Sequence, residues 1–145
     1  MHEQINFFLV VGALLSGIAA VLHLLIILGG PEWYRFFGAG ERFAKAAVQG
    51  RYFTTVITIG IAIVLGLWSV YALSGAGVIR PLPFLRPALV GITAIYLIRA
   101  VGFAPAVRAS GGRLTPFVLW SSGICLAFGI VHLLGLVQRL SLIHI

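Results

Sequence analysis

Four long apolar runs constrain the fold of this chain more than any other feature of its sequence. They cover residues 5–28, 52–73, 86–103 and 116–138, and each is close to the roughly 20 residues that an α-helix needs to cross a bilayer. Backbone polar groups inside a membrane must be paired within the structure, and the runs lack the alternation of barrel strands. The sequence therefore predicts an all-α integral membrane protein, an antiparallel up-and-down bundle of four transmembrane helices.

The composition excludes a soluble globular domain. Hydrophobic residues make up 61% of the 145 residues and charged residues only 9%, whereas soluble domains carry about 25% charged residues. The net charge is +7, but the basic residues lie near the ends of the apolar runs, where they set topology and attract anionic lipid. We therefore expect the lipid bilayer as a partner, and no nucleic acid.

No motif in the sequence indicates a catalytic residue, a metal site or a cofactor. Cys125 is the only cysteine, which excludes an intramolecular disulfide and a cysteine-rich metal site. The sequence also contains no glycine-rich phosphate loop, metal-spaced histidine pair or nucleophile elbow. These features favour a non-enzymatic role and leave an enzymatic one open.

The basic residues between the runs predict the orientation. The side of a membrane protein that is richer in Lys and Arg is the cytoplasmic side, and this chain has seven such residues on one side and three on the other, which places both termini outside. The seven are Arg35, Arg42, Lys45, Arg51, Arg99, Arg108 and Arg113, and the three are Arg80, Arg86 and Arg139.

Residues 29–42, GGPEWYRFFGAGER, join the first two runs and mix aromatic with charged side chains. The two glycines and the proline that open this segment are typical of a helix stop. The residues that follow are typical of a short interfacial helical segment at the level of the lipid headgroups. Trp33 and Tyr34 are expected to be its aromatic anchors.

Two interpretations of this segment remain open. In the first it is an interfacial linker that carries two ion pairs at helical spacing, Glu32 with Arg35 and Glu41 with Lys45. In the second it covers the cytoplasmic end of the bundle, and its carboxylates lie near basic residues of the first and third helices, forming a polar pocket with an aromatic rim.

Ionisable residues inside the predicted helices are functional candidates, because a charge at the centre of a membrane helix costs about 2.5–3.5 kcal/mol. His23 lies late in the first helix and Arg99 late in the third, so an antiparallel bundle places both in the cytoplasmic leaflet, beside Tyr96 and Ser121. The candidates for a ligand site or a proton relay are His23, Glu32, Glu41, Arg51, Tyr96 and Arg99.

His132 is a separate candidate that we expect in the opposite leaflet, with Asn6 and Ser69. At a rise of 1.5 Å per residue, His132 and His23 differ in depth by roughly 16 Å, so the two cannot ligate one haem iron. For each histidine the sequence leaves two roles open, a functional one and that of a neutral imidazole hydrogen-bonded to a neighbouring helix.

A resemblance to a known family rests on three stretches, GGPEWYRFFGAGE, YALSGAGVIRPLPFLR and ITAIYLIR. They resemble an uncharacterised family of small bacterial four-span inner-membrane proteins, which is loosely similar to DoxX-like proteins in size and span count. The resemblance covers most of residues 29–99 and implies a location in a bacterial inner membrane. It implies no activity, cofactor or site residue.

The domain prediction is one four-helix membrane domain over residues 1–139. The remaining residues 140–145, LSLIHI, match the in-frame translation of a transposon mosaic end that is used to prepare sequencing libraries. We expect them to be adapter read-through rather than natural sequence. An ordinary amphipathic tail is the alternative.

The expected function is that of a small accessory or partner subunit, or of a binder of a lipid-like molecule in a polar pocket of the cytoplasmic leaflet. One alternative is an oligomeric transporter or proton-conducting element. Another is a quinone-linked redox subunit with His23 as acid or base. The expected protein partner is a second copy of the chain or another membrane protein.

Overall fold

A computed structural model describes residues 4–37, 41–50 and 52–143, with side chains at all of these except 41–43 and 142–143. Over these ranges the chain forms six α-helices and no strand. The helices are α1 (Phe7–Gly29), α2 (Pro31–Phe36), α3 (Glu41–Val48), α4 (Tyr52–Gly75), α5 (Leu85–Ala109) and α6 (Pro116–Ile143).

The four long helices, α1, α4, α5 and α6, are long and apolar enough to cross a membrane. They confirm the predicted all-α fold class, and α2 and α3 form the helical segment predicted between the first two spans. The protein is thus a multi-pass membrane protein by the length and composition of its helices. The prediction that residues 1–139 form a single domain stays a prediction.

Two of the long helices end later than the sequence predicted. The helix α5 continues past residue 103, through Pro105, to Ala109, and α6 continues past residue 138 to Ile143. A proline inside a helix removes one backbone hydrogen bond and costs about 3 kcal/mol. Because α5 has 25 residues, the rest of its hydrogen bonds hold the helix together across this break, and its midpoint moves to residue 97.

The chain divides into two compact units. The first contains residues 1–15 and 68–145, and the second contains residues 16–67. The helices α1 and α4 therefore contribute one part of their length to each unit, while α5 and α6 lie wholly in the first and α2 and α3 wholly in the second.

In the first unit, Asn6 joins the start of α1 to two other helices. Its Oδ1 accepts a hydrogen bond from the Leu9 N–H at 3.1 Å, which is an N-cap contact. Its Nδ2 donates to the Gly135 carbonyl in α6 at 2.7 Å, and its backbone N–H donates to the Ala76 carbonyl, one residue beyond α4, at 3.0 Å. The start of α1 therefore lies beside the end of α4 and the last turns of α6, as antiparallel packing requires.

Arg139 closes the same end of the first unit. Its Nη1 donates to the Gly75 carbonyl, the last residue of α4, at 2.6 Å, and a cation at a helix C-terminus is favourable for the helix dipole. A buried apolar cluster accompanies these polar contacts. Its members are Leu9, Ala76, Leu89 and Leu136.

In the second unit, α2 contacts the parts of α1 and α4 that belong to this unit, and α3 packs with α1 and α2. Ile26, Tyr34 and Ala44 form one buried cluster across α1, α2 and α3. The Thr58 hydroxyl donates to the Thr54 carbonyl at 2.7 Å, so the Tyr34 hydroxyl is the donor in its own 3.1 Å bond with Thr58 Oγ1 in α4. The segment is therefore attached to both long helices of this unit.

The prediction that Tyr34 anchors the segment at the headgroup level is wrong. Its side chain is only 3% exposed, and its hydroxyl is used inside the protein. Trp33 is 41% exposed, as an interfacial anchor would be. Neighbouring residues of a helix point about 100° apart, so one of two adjacent aromatic residues faces the protein while the other faces outward.

Candidate functional site

Arg99 on α5 is a partly buried charged residue that bonds to a second long apolar helix, and its contacts define the candidate site. Its Nη2 donates to Ser121 Oγ on α6 at 3.0 Å. Its guanidinium carbon lies 3.6 Å from the centre of the Phe103 ring, a cation–π contact. Its Nη1 is buried and has no hydrogen-bond partner among the described residues.

The contacts of Arg99 also show which way its side chain runs. Phe103 is one turn further along α5, and helical side chains more commonly lean toward the helix N-terminus. The guanidinium instead extends toward the end of the first unit where α5 stops and α6 begins. Phe103 is six residues before Ala109, and Ser121 is five residues after Pro116, so the guanidinium lies roughly 8 Å from these helix ends.

The sequence predicted that Tyr96 and His132 lie in opposite leaflets, but the structure places the two side chains together. The two rings are in contact, with centroids 5.1 Å apart. Tyr96 also contacts Phe128 at 5.4 Å and Trp68 at 5.0 Å, both with rings nearly perpendicular. The result is an aromatic cluster shared by α4, α5 and α6.

The late end of α5 explains this difference. With the predicted end at residue 103, Tyr96 falls past the helix midpoint, toward the predicted cytoplasmic side. In the observed helix, Leu85–Ala109, it lies at the midpoint. His132 is within three residues of the midpoint of α6, so both side chains reach the middle of the helix pair.

His132 is completely buried and packs against Gly12 of α1. A Cβ built on Gly12 would lie 2.8 Å from His132 Cε1 and 3.0 Å from Nε2. On the neighbouring residue of α1, the Ala13 carbonyl accepts a hydrogen bond from Ser69 Oγ at 2.7 Å. His132 and Ser69 thus both contact α1, the first from α6 and the second from α4. Asn6 belongs to the same group of contacts because it bonds to Gly135 of α6.

The hydrogen bond of His132 shows which of its ring nitrogens is a donor. Its Nδ1 lies 2.8 Å from the Phe128 carbonyl, and because a carbonyl only accepts, Nδ1 carries the hydrogen. Nε2 is buried without a partner in the part of the chain that the structure describes. A base or ligand role would require access to Nε2, which the complete burial of the side chain prevents.

His23 and Glu32 belong to the second unit, and each has a local partner. His23 Nδ1 donates to the Ala19 carbonyl, one turn earlier in α1, at 2.7 Å. Glu32 pairs with Arg35 at 2.8 Å on the exposed side of α2, which is the ion pair predicted by the linker interpretation. A shared site of His23 or Glu32 with Arg99 stays a prediction.

Two further candidates fall outside the described part of the chain. Arg51 is not among the described residues, and Glu41 is described only as the first residue of α3. The predicted Glu41–Lys45 pair and the role of Arg51 in a ligand site therefore stay predictions.

Sequence reasoning found Ser121 as a neighbour of Arg99 but missed three residues that shape these sites. Phe103 stands four residues after Arg99, a spacing that places two side chains on one helix face, so its contact could have been predicted. The contact of Gly12 with His132 had no sequence signal, because it depends on how two helices are rotated against each other. The buried hydroxyl of Tyr34 had none for the same reason.

The described residues contain no cluster of three His, Cys, Asp or Glu side chains that could hold a metal ion. Comparison of the chain with protein-family models, curated proteins and solved structures finds no match.

Proposed function

We propose that this protein binds a lipid-like small molecule through Arg99 and acts as a non-enzymatic lipid-binding or accessory subunit. The observation that supports this proposal is the guanidinium of Arg99, which lies on a membrane-spanning helix and has an Nη1 without a hydrogen-bond acceptor. Ionisable groups inside membrane helices are costly and usually serve a function.

The energies of its contacts show why Arg99 favours a ligand. A charge at the centre of a membrane helix costs about 2.5–3.5 kcal/mol, which is an upper limit for a guanidinium that extends toward the end of its helix. The contact with Phe103 returns about 0.5–2 kcal/mol, but a buried N–H without an acceptor costs about 1–3 kcal/mol. An oxygen of a bound molecule that accepts from Nη1 would remove this last cost.

The surroundings of Arg99 suit a molecule with a hydrocarbon part. Ile98 and Val101 flank it on α5, and each is 67% exposed. The exposed faces of α5 and α6 are apolar over the length of a membrane span, so acyl chains can lie along them while a polar group meets the guanidinium.

The location in a bacterial inner membrane, with both termini outside, is part of the same proposal. It is supported by the resemblance to small four-span bacterial proteins and by the seven-to-three distribution of basic residues. In a Cys125→Ser background, Leu114→Cys should react with a membrane-impermeant maleimide only from the cytoplasmic side, and Val78→Cys only from the outside. Labelling from the opposite sides would reverse the proposed orientation.

The test of lipid binding is mass analysis of what stays bound after purification and detergent exchange. We expect the wild-type protein to retain a defined lipid, and Arg99→Leu to retain about tenfold less or none, since a hydrogen bond to a charged group is worth about 1.5–3 kcal/mol. Arg86→Leu is the matched control, because Arg86 is an exposed arginine at the opposite end of the same helix and its loss should leave the retained lipid unchanged.

Two results would contradict the proposal. One is that, after detergent exchange, the wild-type protein retains no more lipid than Arg99→Leu does. The other is equal retention by both variants and the wild type, which would show that the lipid adheres to the apolar surface without using Arg99.

A further inference from the structure

We infer that the group recognised by Arg99 is the phosphate of a membrane-lipid headgroup that carries a net negative charge. This inference rests on the proposed function and adds the chemical class of the ligand. It is carried by the charges of the chain, by the hydrogen-bond donors around Arg99, and by the depth of its guanidinium.

The chain offers its membrane helices no carboxylate. Its three acidic residues are Glu3, Glu32 and Glu41, and none of them lies on α1, α4, α5 or α6. Glu32 already pairs with Arg35. No acidic residue within a span can therefore neutralise Arg99, and an anionic lipid headgroup is a counter-ion that a membrane supplies in quantity.

Hydrogen-bond donors remain available at Arg99. Ser121 Oγ accepts from Nη2, so its own hydrogen is available to another acceptor, and Nη1 carries two hydrogens without an acceptor. A phosphate offers several acceptor oxygens and matches the planar fork of a guanidinium. A neutral hydroxyl or carbonyl headgroup would satisfy fewer of these donors and would leave the charge uncompensated.

The depth of the guanidinium fits a headgroup. The helices α5 and α6 have 25 and 28 residues, against the roughly 20 that the hydrocarbon core requires. If the excess is shared between both ends, about 4–6 Å of each helix projects among the headgroups. The guanidinium, roughly 8 Å from the helix ends, then lies within about 5 Å of the headgroup layer, in the direction in which its side chain extends.

Two further arginines stand at the same end of the first unit. Arg108 lies in the last turn of α5, Arg113 lies between α5 and α6, and both side chains are exposed. Basic residues at a membrane surface attract anionic lipids by about 1 kcal/mol each. They raise the local concentration of anionic headgroups at the end toward which Arg99 points.

The experiment compares lipids that differ only in headgroup. The purified full chain is titrated with phosphatidylglycerol, phosphatidic acid and phosphatidylcholine that carry identical acyl chains, and with inorganic phosphate, and bound lipid is counted by native mass spectrometry. We expect the wild type to prefer the two anionic lipids over phosphatidylcholine by about tenfold or more. The preference should fall to about onefold in Arg99→Gln and should persist in Arg99→Lys and in Arg86→Gln, a change at the opposite end of α5.

The outcomes separate this inference from the proposed function. Saturable binding of all three lipids with equal affinity overturns the anionic headgroup and leaves the proposed function standing. No saturable binding of any lipid overturns both. Inorganic phosphate that displaces the lipid at equal concentration overturns the lipid as its source, and an anionic preference that survives in Arg99→Gln overturns the assignment to Arg99. Arg99→Lys keeps the charge, so it tests the inference even if Arg99→Gln does not fold.

Discussion

The packing of His132 against Gly12 leads to a quantitative prediction for Gly12→Ala. The new Cβ would lie 2.8 Å from His132 Cε1, 3.0 Å from Nε2 and 3.1 Å from Nδ1. All three distances are shorter than an ordinary van der Waals contact, which begins at 3.4 Å. The imidazole would therefore have to retreat by about 0.6 Å, the difference between 3.4 and 2.8 Å.

The imidazole has little freedom to make that movement. It is 0% exposed, its Nδ1–H is bonded to the Phe128 carbonyl at 2.8 Å, and the Tyr96 ring lies against it. Inserting a methyl group into such a site costs about 1–3 kcal/mol. The substitution also removes a glycine from a helix, which returns up to about 1 kcal/mol.

The matched control separates these two effects. Nothing lies within 4 Å of a Cβ built on Gly123 of α6, so Gly123→Ala gains the same helix propensity without the clash. We expect Gly12→Ala to be less stable than Gly123→Ala by about 1–3 kcal/mol. Chemical unfolding of both variants in one detergent, followed by circular dichroism, measures the difference.

A second variant tests the cause of this difference. The double variant Gly12→Ala with His132→Ala has no clash. The destabilisations of the two single variants should therefore add up to more than the destabilisation of the double variant. Gly12→Ala that is as stable as Gly123→Ala, or strict additivity in the double variant, would refute the close contact between α1 and α6.

Three other substitutions have expected outcomes. Tyr34→Phe should lower the free energy of unfolding by about 0.5–1.5 kcal/mol and speed hydrogen exchange in α2. Tyr52→Phe, at a side chain that is 84% exposed, should change neither quantity. Equal exchange rates in the two variants would contradict the bond of Tyr34 to α4. Arg139→Gln should lower stability by about 1–3 kcal/mol, since it removes a charged donor from the last carbonyl of α4, and an unchanged unfolding midpoint would speak against that contact. Arg99→Leu should leave the unfolding temperature unchanged or higher, because the burial cost of the charge disappears; a collapse of the fold would show that Arg99 is primarily structural.

The long helices could be predicted from the sequence because hydrophobicity and length alone decide whether a segment can span a membrane. The same reasoning placed Ser121 beside Arg99, since both lie near the junction of the third and fourth spans. It failed at Tyr96, because the predicted helix stopped six residues short of Ala109 and moved the midpoint. An error in one helix end shifts the expected depth of every residue on that helix.

The contacts between helices were harder to predict than the helices. An amphipathic side chain such as Tyr34 is equally suited to a headgroup layer and to a buried hydroxyl acceptor, so composition does not decide between them. The pairing of Gly12 with His132 depends on the rotation of two helices, and apolar residues around the full circumference of a membrane helix leave no stripe that would indicate it.

The bonds of Asn6 have a consequence for how the chain is made. The amide of this residue, at the very beginning of the first span, is completed by a carbonyl 129 positions later. At a synthesis rate of roughly 5–20 residues per second, the ribosome needs about 6–26 s to produce that carbonyl after Asn6 itself. During this interval the Asn6 side-chain amide lacks its acceptor in α6. The packing of the start of the first span is therefore completed late in biogenesis, after the last span has been inserted.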